Sequence, residues 1–397
     1  MSVPLLDLKA QLAPLRDEIL AAVTEVIDST TYIMGPKVER LERHVADYCG
    51  VPHAIGVSSG TDALLAALMA VGVGPGDLVL TTPYTFFATM GSILRLGARP
   101  LFVDIDPLTY NIDPQQAEEV LAADPAAAGQ LKAIMPVHLY GQCADMAPLL
   151  RLAAHYEVPV IEDAAQAIGA AYPVVENGKT VWHRAGSMGA AGCFSFFPSK
   201  NLGGIGDGGM IVAGDAQLAE KLRIIRVHGS APKYYHQMIG GNFRLDPVQA
   251  VVLDIKLSCL PRWHQARRDN AACYHRLFAG SGLVEEGCVS LPRAAYEEIA
   301  RQSGEADYHI YNQFVIRARD RDGLLKHLHA SGIGAEIYYP VPLHKQQCIA
   351  ELGYHAQSFP AAEKAAQETV ALPIYPELSE AMQREVVTAI ADFYRGR

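Results

Sequence analysis

Short apolar segments alternate with longer segments of helical spacing between residues 53 and 213. The short segments are continuously apolar, which is typical of strands that are buried on both faces of a parallel sheet. They occupy residues 54–57, 78–80, 100–104, 133–137, 158–161, 193–197 and 210–213. Because strands that alternate with helices form βαβ units, we predict an α/β fold with a mainly parallel seven-stranded sheet between helices.

Two local patterns differ from this alternation. The first 50 residues have helical spacing that is broken at Gly35-Pro36, so we expect two helical parts before the sheet begins. Residues 172–182 alternate around Asn177-Gly178, a pair that favours a two-residue turn between antiparallel strands. We therefore expect a β-hairpin inserted between strands of the sheet.

The pattern of the chain changes near residue 250. It predicts a long helical region at residues 246–278. A strand at 308–316, a helix at 321–330, a strand at 335–339 and a helix at 379–394 follow. We therefore expect a large domain with N-terminal helices over residues 1–250. A linking helix and a smaller C-terminal α+β domain would occupy residues 251–397.

Composition argues against several classes of function. The chain has 397 residues and a net charge of −10, so it has no general attraction for nucleic acid or for an anionic membrane surface. No apolar run approaches the roughly 20 residues of a membrane span and no signal peptide is evident, so we expect a cytoplasmic location. The seven cysteines are scattered without a C-x-x-C pair, which indicates reduced packing residues and no metal site.

Lys200 has an unusual setting for a lysine. It follows an aromatic run at residues 194–197 and precedes five glycines within residues 203–209. A surface lysine is normally found on a polar helix face, so this one is predicted to be held at a site. Desolvation there would lower the pKa of the amine and make it nucleophilic.

Asp163 follows the strand-like segment at residues 158–161, and parallel sheets bind ligands beyond the carboxyl ends of their strands. An activated lysine and a buried carboxylate are what pyridoxal 5′-phosphate (PLP) requires. The amine reacts with the aldehyde of the cofactor, and the carboxylate keeps the pyridine nitrogen protonated. Each residue alone is more often a loop lysine or a helix cap. Together, Asp163 and Lys200 predict a PLP enzyme.

A nicotinamide cofactor is an alternative, because residues 204–209 match G-x-G-x-x-G. That fingerprint should follow a strand, begin a helix and precede an acidic residue by about 20 positions. Here the glycines precede a predicted strand, and the region around His228 contains no acid. We interpret the match as coincidental and expect the glycines to allow tight turns beside Lys200.

Other residues near predicted strand ends could complete a cofactor site. Gly60 and Thr61 begin an apolar helix whose free amides could bind a phosphate. Taken alone, this segment is more often a helix cap formed by Ser59 or Thr61, but together with Asp163 and Lys200 it favours phosphate binding. Phe86 could cover a flat ring, or it could belong to the core. Ser195 could donate a hydrogen bond to a phosphate or could be structural.

Five motifs together resemble the DegT/StrS family of sugar aminotransferases, which have the type I fold of aspartate aminotransferase. They are residues 59–64, 162–166, the segment around Lys200, 241–250 and 338–344. The similarity covers almost the whole chain. It implies that Lys200 binds PLP covalently and moves a proton between the cofactor and substrate carbons.

The resemblance also implies roles for the other residues. Asp163 would pair with the pyridine nitrogen, Gln166 would contact the ring oxygen and Phe86 would stack on the ring. The phosphate would be held by Gly60, Thr61, Ser195 and, from the partner subunit, Asn242. An active site that is shared in this way implies a homodimer.

The implied substrates are a nucleotide-linked ketosugar and L-glutamate. Residues 197–204 and 228–236 resemble members that aminate the C-3 ketone of dTDP-linked 6-deoxyhexoses, while a 4-keto sugar and a UDP carrier stay open as alternatives. Related dehydratases carry histidine in place of Lys200, so the lysine favours transamination. A PLP-binding regulator without turnover is a further alternative, which no DNA-binding segment supports. Contacts to the nucleotide sugar are expected from Lys233, Tyr234, Tyr235, Tyr339 and His344.

Overall fold

The computed structural model describes residues 2–396. The strands are β1 (His53–Val57), β2 (Leu78–Thr81), β3 (Arg99–Phe102), β4 (Leu131–Ile134), β5 (Ile161–Asp163), β6 (Ala171–Glu176), β7 (Lys179–Arg184), β8 (Ala191–Ser195), β9 (Gly209–Ala213), β10 (Val289–Ser290), β11 (Phe314–Ala318) and β12 (Thr369–Leu372). The α-helices are α1 (Leu8–Leu12), α2 (Arg16–Ser29), α3 (Pro36–Cys49), α4 (Gly60–Ala70), α5 (Phe87–Arg95), α6 (Pro114–Ala123), α7 (Pro125–Gln130), α8 (Met146–His155), α9 (Ala216–Ile225), α10 (Pro247–Leu257), α11 (Leu260–Ser281), α12 (Glu297–Ser303), α13 (Arg321–Ala330), α14 (Pro360–Glu368) and α15 (Glu380–Arg395).

Seven strands form a sheet in the order β1-β9-β8-β5-β4-β2-β3. Parallel bridges from Ile134 to Val160 and from Val137 to Asp163 join the β4 side to β5. Strand β9 runs antiparallel to both neighbours, whereas the pairs β5–β8, β2–β4 and β2–β3 are parallel. The predicted α/β fold with a mainly parallel sheet is confirmed.

The sheet is buried on both faces. Along β9, Ile211 packs in a cluster with residues of α4 and α9, while Met210 and Val212 pack in a second cluster with residues of α3 and α10. This division follows from the two-residue period of a strand, which turns successive side chains to opposite faces. Helix layers on both sides explain why the strands read as continuous apolar runs.

The inserted hairpin is confirmed, because β6 and β7 pair antiparallel around Asn177-Gly178. Both turn residues have positive φ, 51° and 75°, as a two-residue turn of this type requires. The break at Gly35 is also confirmed, since this residue precedes α3 with φ 90°. The helical region before Gly35 is divided further, because a 3₁₀ turn at Ala13–Leu15 separates α1 from α2.

Part of the C-terminal prediction needed correction. The helical region predicted at 246–278 is present as two helices, α10 and α11, since Pro261 at the start of α11 has no N–H for a continuous hydrogen-bond ladder. Most of the strand predicted at 308–316 is irregular, because Ile310 donates its amide to Gly141 of a loop instead of to a strand. Strand β11 begins only at Phe314. It pairs with β10 and with β12, and the sequence pattern predicted neither of these two partner strands.

The C-terminal sheet has its own apolar core. Tyr274 and Phe278 of α11 pack there with Phe314 and with residues of α13 and α15, and Val3 from the N-terminal segment joins them.

The expected division at residue 250 lies inside α10, whose Val251 packs in the core of the larger sheet. The domain boundaries stay a prediction. Within residues 2–396, no helix has both the length and the apolar character to cross a membrane, and the cytoplasmic location likewise stays a prediction.

Candidate active site

A cavity of about 480 Å³ lies at the carboxyl ends of the parallel strands. Helices α4 and α5 begin just after β1 and β2, and Asp163 and Ser195 end β5 and β8. Since the carboxyl ends of parallel strands share one edge of the sheet, these segments converge there. The lining includes the predicted site residues Gly60, Thr61, Phe86, Asp163, Gln166, Ser195, Lys200 and Tyr339.

The start of α4 provides backbone donors at one end of the cavity. Ser59 caps the helix by accepting a hydrogen bond of 3.0 Å from the amide of Asp62, and the first intrahelical bond runs from Ala63 to Ser59. The amides of Gly60 and Thr61 precede that bond, so they are available to an anion. A Cβ added to Gly60 would lie 2.6 Å from Cβ of Ser195. Glycine therefore permits the helix start to approach the end of β8.

Asp163 is held as an acceptor inside the protein. Its side chain is 4% exposed, and it accepts hydrogen bonds from the Thr89 hydroxyl at 2.8 Å and from the Ala165 amide at 3.3 Å. Burial raises the pKa of the Asp163 carboxyl, while the bonds from Thr89 and Ala165 and the charge of Lys200 oppose that rise. A protonated pyridine nitrogen would supply the positive partner that this carboxylate needs.

The neighbouring Glu162 stabilises a turn of the backbone instead of lining the cavity. Its buried carboxylate accepts hydrogen bonds from the amides of Gly186, Met188 and Gly189 at 2.5–2.7 Å, and it lies 2.8 Å from Nε2 of His138. Because successive strand residues point to opposite faces, Glu162 anchors the 186–189 turn while Asp163 faces the cavity. Only Asp163 of this acidic pair lines the cavity.

Lys200 lies in the loop that follows β8, with part of its surface open to the cavity. Burial lowers the pKa of its amine to about 8, against the opposing effect of the Asp163 charge. The surrounding loop is tight, since Lys200 donates its amide to Phe197 at 2.8 Å. A Cβ added to Gly203 would lie 2.3 Å from the carbonyl oxygen of Pro198. Glycine is therefore needed for the close turn.

Gln166 has a defined orientation. Its Oε1 accepts a hydrogen bond of 2.7 Å from the Tyr140 amide, so its Nε2 is the group directed towards the hydroxyl of Tyr339, at 3.1 Å. The second hydrogen on Nε2 is available to an acceptor in the cavity. Phe86 is 57% exposed, and the centre of its ring lies 6.0 Å from that of Tyr339.

These residues fit PLP. They combine an amine of lowered pKa, a buried carboxylate, free amides beside a serine hydroxyl, an oriented amide donor and an exposed aromatic ring. These groups match the aldehyde, pyridine nitrogen, phosphate, ring oxygen and ring face of the cofactor, respectively. Within residues 2–396, no group of three or more histidine, cysteine or acidic residues has the geometry for a metal ion.

Several predicted contacts do not line the cavity of this chain. Asn242 lies outside it, and Lys233, Tyr234 and Tyr235 belong to an exposed segment, with Tyr234 79% exposed. His344 is fully buried and lies 3.0 Å from Glu363. His344 therefore does not line the cavity of this chain, and its contact with the substrate stays a prediction.

Sequence reasoning missed other residues that line the cavity or support it. Thr89 lies in the first turn of α5, and its hydroxyl contacts that of Thr85 just before the helix, which no local sequence signal indicated. Arg267, Asn312 and Gln313 also line the cavity. Arg267 occupies the middle of a long helix in a charged stretch, where nothing local distinguishes it from a solvent-exposed residue.

Known proteins resemble this chain in sequence and in fold. The model of the DegT/DnrJ/EryC1/StrS aminotransferase family matches residues 14–391. The chain belongs to this family. It is a PLP-dependent aminotransferase with the type I fold. The crystal structure of S. venezuelae DesV in complex with a ketimine intermediate has a TM-score of 0.88 and 39% identity, and the match covers 100% of this chain and 99% of that one.

Three relatives match over almost their full length. The aminotransferase is 50% identical to the "Pleiotropic regulatory protein" of Geobacillus stearothermophilus, over 100% of this chain and 99% of the relative. It is 42% identical to the UDP-N-acetyl-3-dehydro-alpha-D-glucosamine 3-aminotransferase of Acidithiobacillus ferrooxidans, over 98% and 97%. It is 39% identical to the dTDP-3-amino-3,4,6-trideoxy-alpha-D-glucose transaminase of Streptomyces venezuelae, over 98% and 96%.

Proposed function

We propose that this aminotransferase converts a nucleotide-linked ketosugar to the amino sugar, with L-glutamate as the amino donor. The proposed acceptor is the C-3 ketone of a dTDP-linked 6-deoxyhexose. One observation carries the proposal. Lys200 and Asp163 line the same cavity as the start of α4, whose free amides can bind a phosphate. Tyr339 lines the same cavity, and we propose that the substrate binds beside it.

In the proposed site, bound PLP supplies an electron sink for the carbanion formed at the substrate carbon. The Lys200 amine holds the cofactor and afterwards carries a proton between carbons, for which a pKa near 8 leaves a useful fraction unprotonated. Asp163 keeps the pyridine nitrogen protonated. Gln166 donates to the ring oxygen, and Phe86 covers the ring.

The phosphate contacts are assigned to the amides of Gly60 and Thr61 and to the Ser195 hydroxyl. We propose that Asn242 of the partner subunit completes them in a homodimer, since Asn242 does not line the cavity of its own chain. The exposed Lys233, Tyr234 and Tyr235 are proposed to contact the nucleotide sugar, together with Tyr339. The Lys233 ammonium can bind a diphosphate, and the tyrosine rings can stack on a nucleotide base.

The choice of acceptor is supported by the relatives. Those from A. ferrooxidans and S. venezuelae are both named for sugars that are aminated at C-3. A UDP-linked 3-keto sugar is the second candidate, because the relative with 42% identity is named for a UDP sugar and the dTDP-sugar relative has 39% identity.

The test is a panel of acceptors with the purified, PLP-loaded protein and L-glutamate. The panel contains dTDP- and UDP-linked sugars with ketones at C-3 or C-4, and mass spectrometry and NMR identify the products. We expect amination at C-3 with dTDP-6-deoxyhexoses used best. Faster turnover of the UDP sugars would select the second candidate. Absence of turnover with every ketosugar would instead favour a regulatory role, as the name of the 50% identical relative suggests.

A further inference from the structure

Tyr140 is a buried tyrosine next to the active-site cavity. It lies in the segment 139–141 after β4, is 5% exposed and follows Leu139, which lines the cavity. Its φ of 60° and ψ of 6° are left-handed, a backbone conformation that is unfavourable for a residue with a Cβ. Such a conformation persists only where surrounding contacts hold it, so the contacts of Tyr140 indicate its role.

The backbone amide of Tyr140 sets the orientation of Gln166. It donates a hydrogen bond of 2.7 Å to Oε1 of Gln166, and Nε2 of the same side chain donates to the Tyr339 hydroxyl at 3.1 Å. A Gln166 amide turned the other way would oppose its Nε2 to the N–H of Tyr140, donor against donor. The amide of Tyr140 therefore selects one orientation for a side chain that lines the cavity.

The hydroxyl of Tyr140 holds the residue before Tyr339. It donates a hydrogen bond to the backbone carbonyl of Tyr338, which also accepts one of 2.8 Å from Tyr84. Tyr140, Gln166, Tyr339 and Tyr338 thus form a closed set of contacts, which we call the Tyr140 network. It joins the segment after β4 to the segment before α14, and the two tyrosines at its junction are 198 residues apart in the chain.

The Tyr140 network leaves a hydrogen-bond donor on each of its two cavity residues. Nε2 of Gln166 gives one hydrogen to Tyr339 and carries a second. The Tyr339 oxygen accepts that bond, so its own hydrogen is available to a ligand. Burial raises the pKa of the Tyr339 hydroxyl, which stays protonated at neutral pH. The network therefore holds two donor atoms 3.1 Å apart at the cavity.

We propose that Tyr140 is a positioning residue that fixes the cofactor contact Gln166 and the substrate contact Tyr339 as one unit. This inference rests on the proposed function and adds the residue that holds two of its contacts. Gln166 donates to the ring oxygen of PLP, and Tyr339 donates to an oxygen of the ketosugar. Tyr140 holds one donor with its amide and the other through its hydroxyl, so the sugar is kept at a fixed place relative to the cofactor ring.

The first test is Tyr140→Phe, which keeps the buried aromatic ring and removes only the hydroxyl. Without the bond to Tyr338, the left-handed backbone at residue 140 loses a contact that holds it, and both donors lose their fixed position. We expect the ketosugar concentration for half-maximal rate to rise roughly 5-fold, the value of one neutral hydrogen bond. An unchanged value overturns the proposal.

A double variant separates positioning from a structural role. If Tyr140 acts through Tyr339, its hydroxyl has no further effect on the ketosugar once Tyr339→Phe is present, because residues in one network are not additive. We expect Tyr339→Phe and the double variant to share one half-maximal concentration. If each single variant raises that concentration roughly 5-fold, independent effects multiply to roughly 25-fold in the double variant, which contradicts the proposal.

Tyr172→Phe is the matched control. Tyr172 is 4% exposed, and its hydroxyl donates to Asp145 at 2.5 Å and accepts from the Ala147 amide at 3.0 Å. It does not line the cavity, so the same substitution removes a buried, hydrogen-bonded hydroxyl outside the Tyr140 network. We expect the ketosugar value to stay unchanged. A defect equal to that of Tyr140→Phe would assign the effect to a general loosening of the fold and overturn the proposal.

Retention of PLP gives a readout that needs no turnover. Dialysis against a series of PLP concentrations, followed by cofactor absorbance, measures the apparent affinity of each variant. Tyr140→Phe should weaken PLP roughly 3-fold in the native background and no further in a Gln166→Ala background, because Gln166 transmits the effect. A loss that is absent in the native background, or equal in both backgrounds, contradicts the proposal.

Should Tyr140→Phe fail to fold, a crystal structure of the wild-type enzyme with PLP and a nucleotide sugar decides. A Gln166 amide directed away from Tyr339, or a Tyr140 hydroxyl out of contact with the Tyr338 carbonyl, overturns the proposal.

The proposal and the proposed function can fail separately. If the wild-type enzyme aminates no ketosugar, the proposed function fails, while the PLP measurements still test Tyr140. If the wild-type enzyme turns over and Tyr140→Phe matches it in ketosugar use and in PLP affinity, only the positioning role is wrong.

Discussion

The hydroxyl of Thr89 donates a hydrogen bond of 2.8 Å to Oδ2 of Asp163. Thr89 lies on α5 and Asp163 ends β5, so the bond joins two elements that are separated by several strands and helices in the chain. The hydroxyl of Thr85, two residues before α5 begins, lies 3.0 Å from that of Thr89. The two threonines therefore fix the direction of the carboxylate that is proposed to face the pyridine nitrogen.

Thr89→Val should move the acid limb of the pH–activity profile to higher pH. The bond from Thr89 lowers the pKa of Asp163, so its loss leaves the pKa higher and the carboxylate becomes protonated at a higher pH. Turnover at neutral pH should fall roughly 10-fold, the scale of one hydrogen bond to a charged group. Thr89→Ser keeps the hydroxyl and should keep both the profile and the rate. An unchanged profile in the valine variant would remove Thr89 from the site.

Asp163→Asn should abolish most of the turnover without unfolding the protein. The substitution is nearly isosteric and keeps an acceptor for the Thr89 hydroxyl, but it removes the charge that keeps the pyridine protonated. We expect turnover to fall by orders of magnitude while the thermal midpoint changes little. Near-normal activity would mean that Asp163 only organises the end of β5.

Cofactor-free protein should capture PLP with a rate that rises through about pH 8 and then levels. Only the unprotonated Lys200 amine reacts, and burial lowers its pKa to about 8 from the ordinary 10.5. Stopped-flow absorbance at a series of pH values measures the midpoint. Borohydride treatment should then attach the cofactor to the peptide that contains Lys200. A rate still rising steeply above pH 9, or a label on another peptide, contradicts this assignment.

Mixed dimers should test the proposed role of Asn242. Lys200→Ala and Asn242→Ala subunits should each be inactive, and mixing them should restore part of the activity. One of the two shared sites in each mixed dimer would receive both native residues. The experiment requires that subunits exchange, which native mass spectrometry verifies. Mixed dimers that form and stay inactive would assign Asn242 to the site of its own chain.

Local chemistry was sufficient to single out two residues that line the cavity. Lys200 and Asp163 each carry their signal within a few residues, because the aromatic run, the glycines and the buried strand are neighbours in sequence. The hairpin was equally predictable, since the Asn177-Gly178 turn depends only on the backbone preferences of two residues. In the C-terminal part, β12 depends on its pairing with β11, and the irregular 308–313 segment depends on a hydrogen bond to the distant Gly141, so the local pattern was insufficient.

The sequence by itself determined the α/β class, because continuous apolar runs that alternate with helical segments are typical of strands buried between two layers of helices. It also singled out Lys200 and Asp163, because both are set in distinctive local surroundings, and the two residues line one cavity. Only the tertiary structure decided that Thr89 supports Asp163, that His344 is buried against Glu363 and that Arg267 reaches the cavity. The physical reason is common to all three. A side chain acquires its pKa, exposure and partners from atoms that the fold brings close, and those partners lie far away in the sequence.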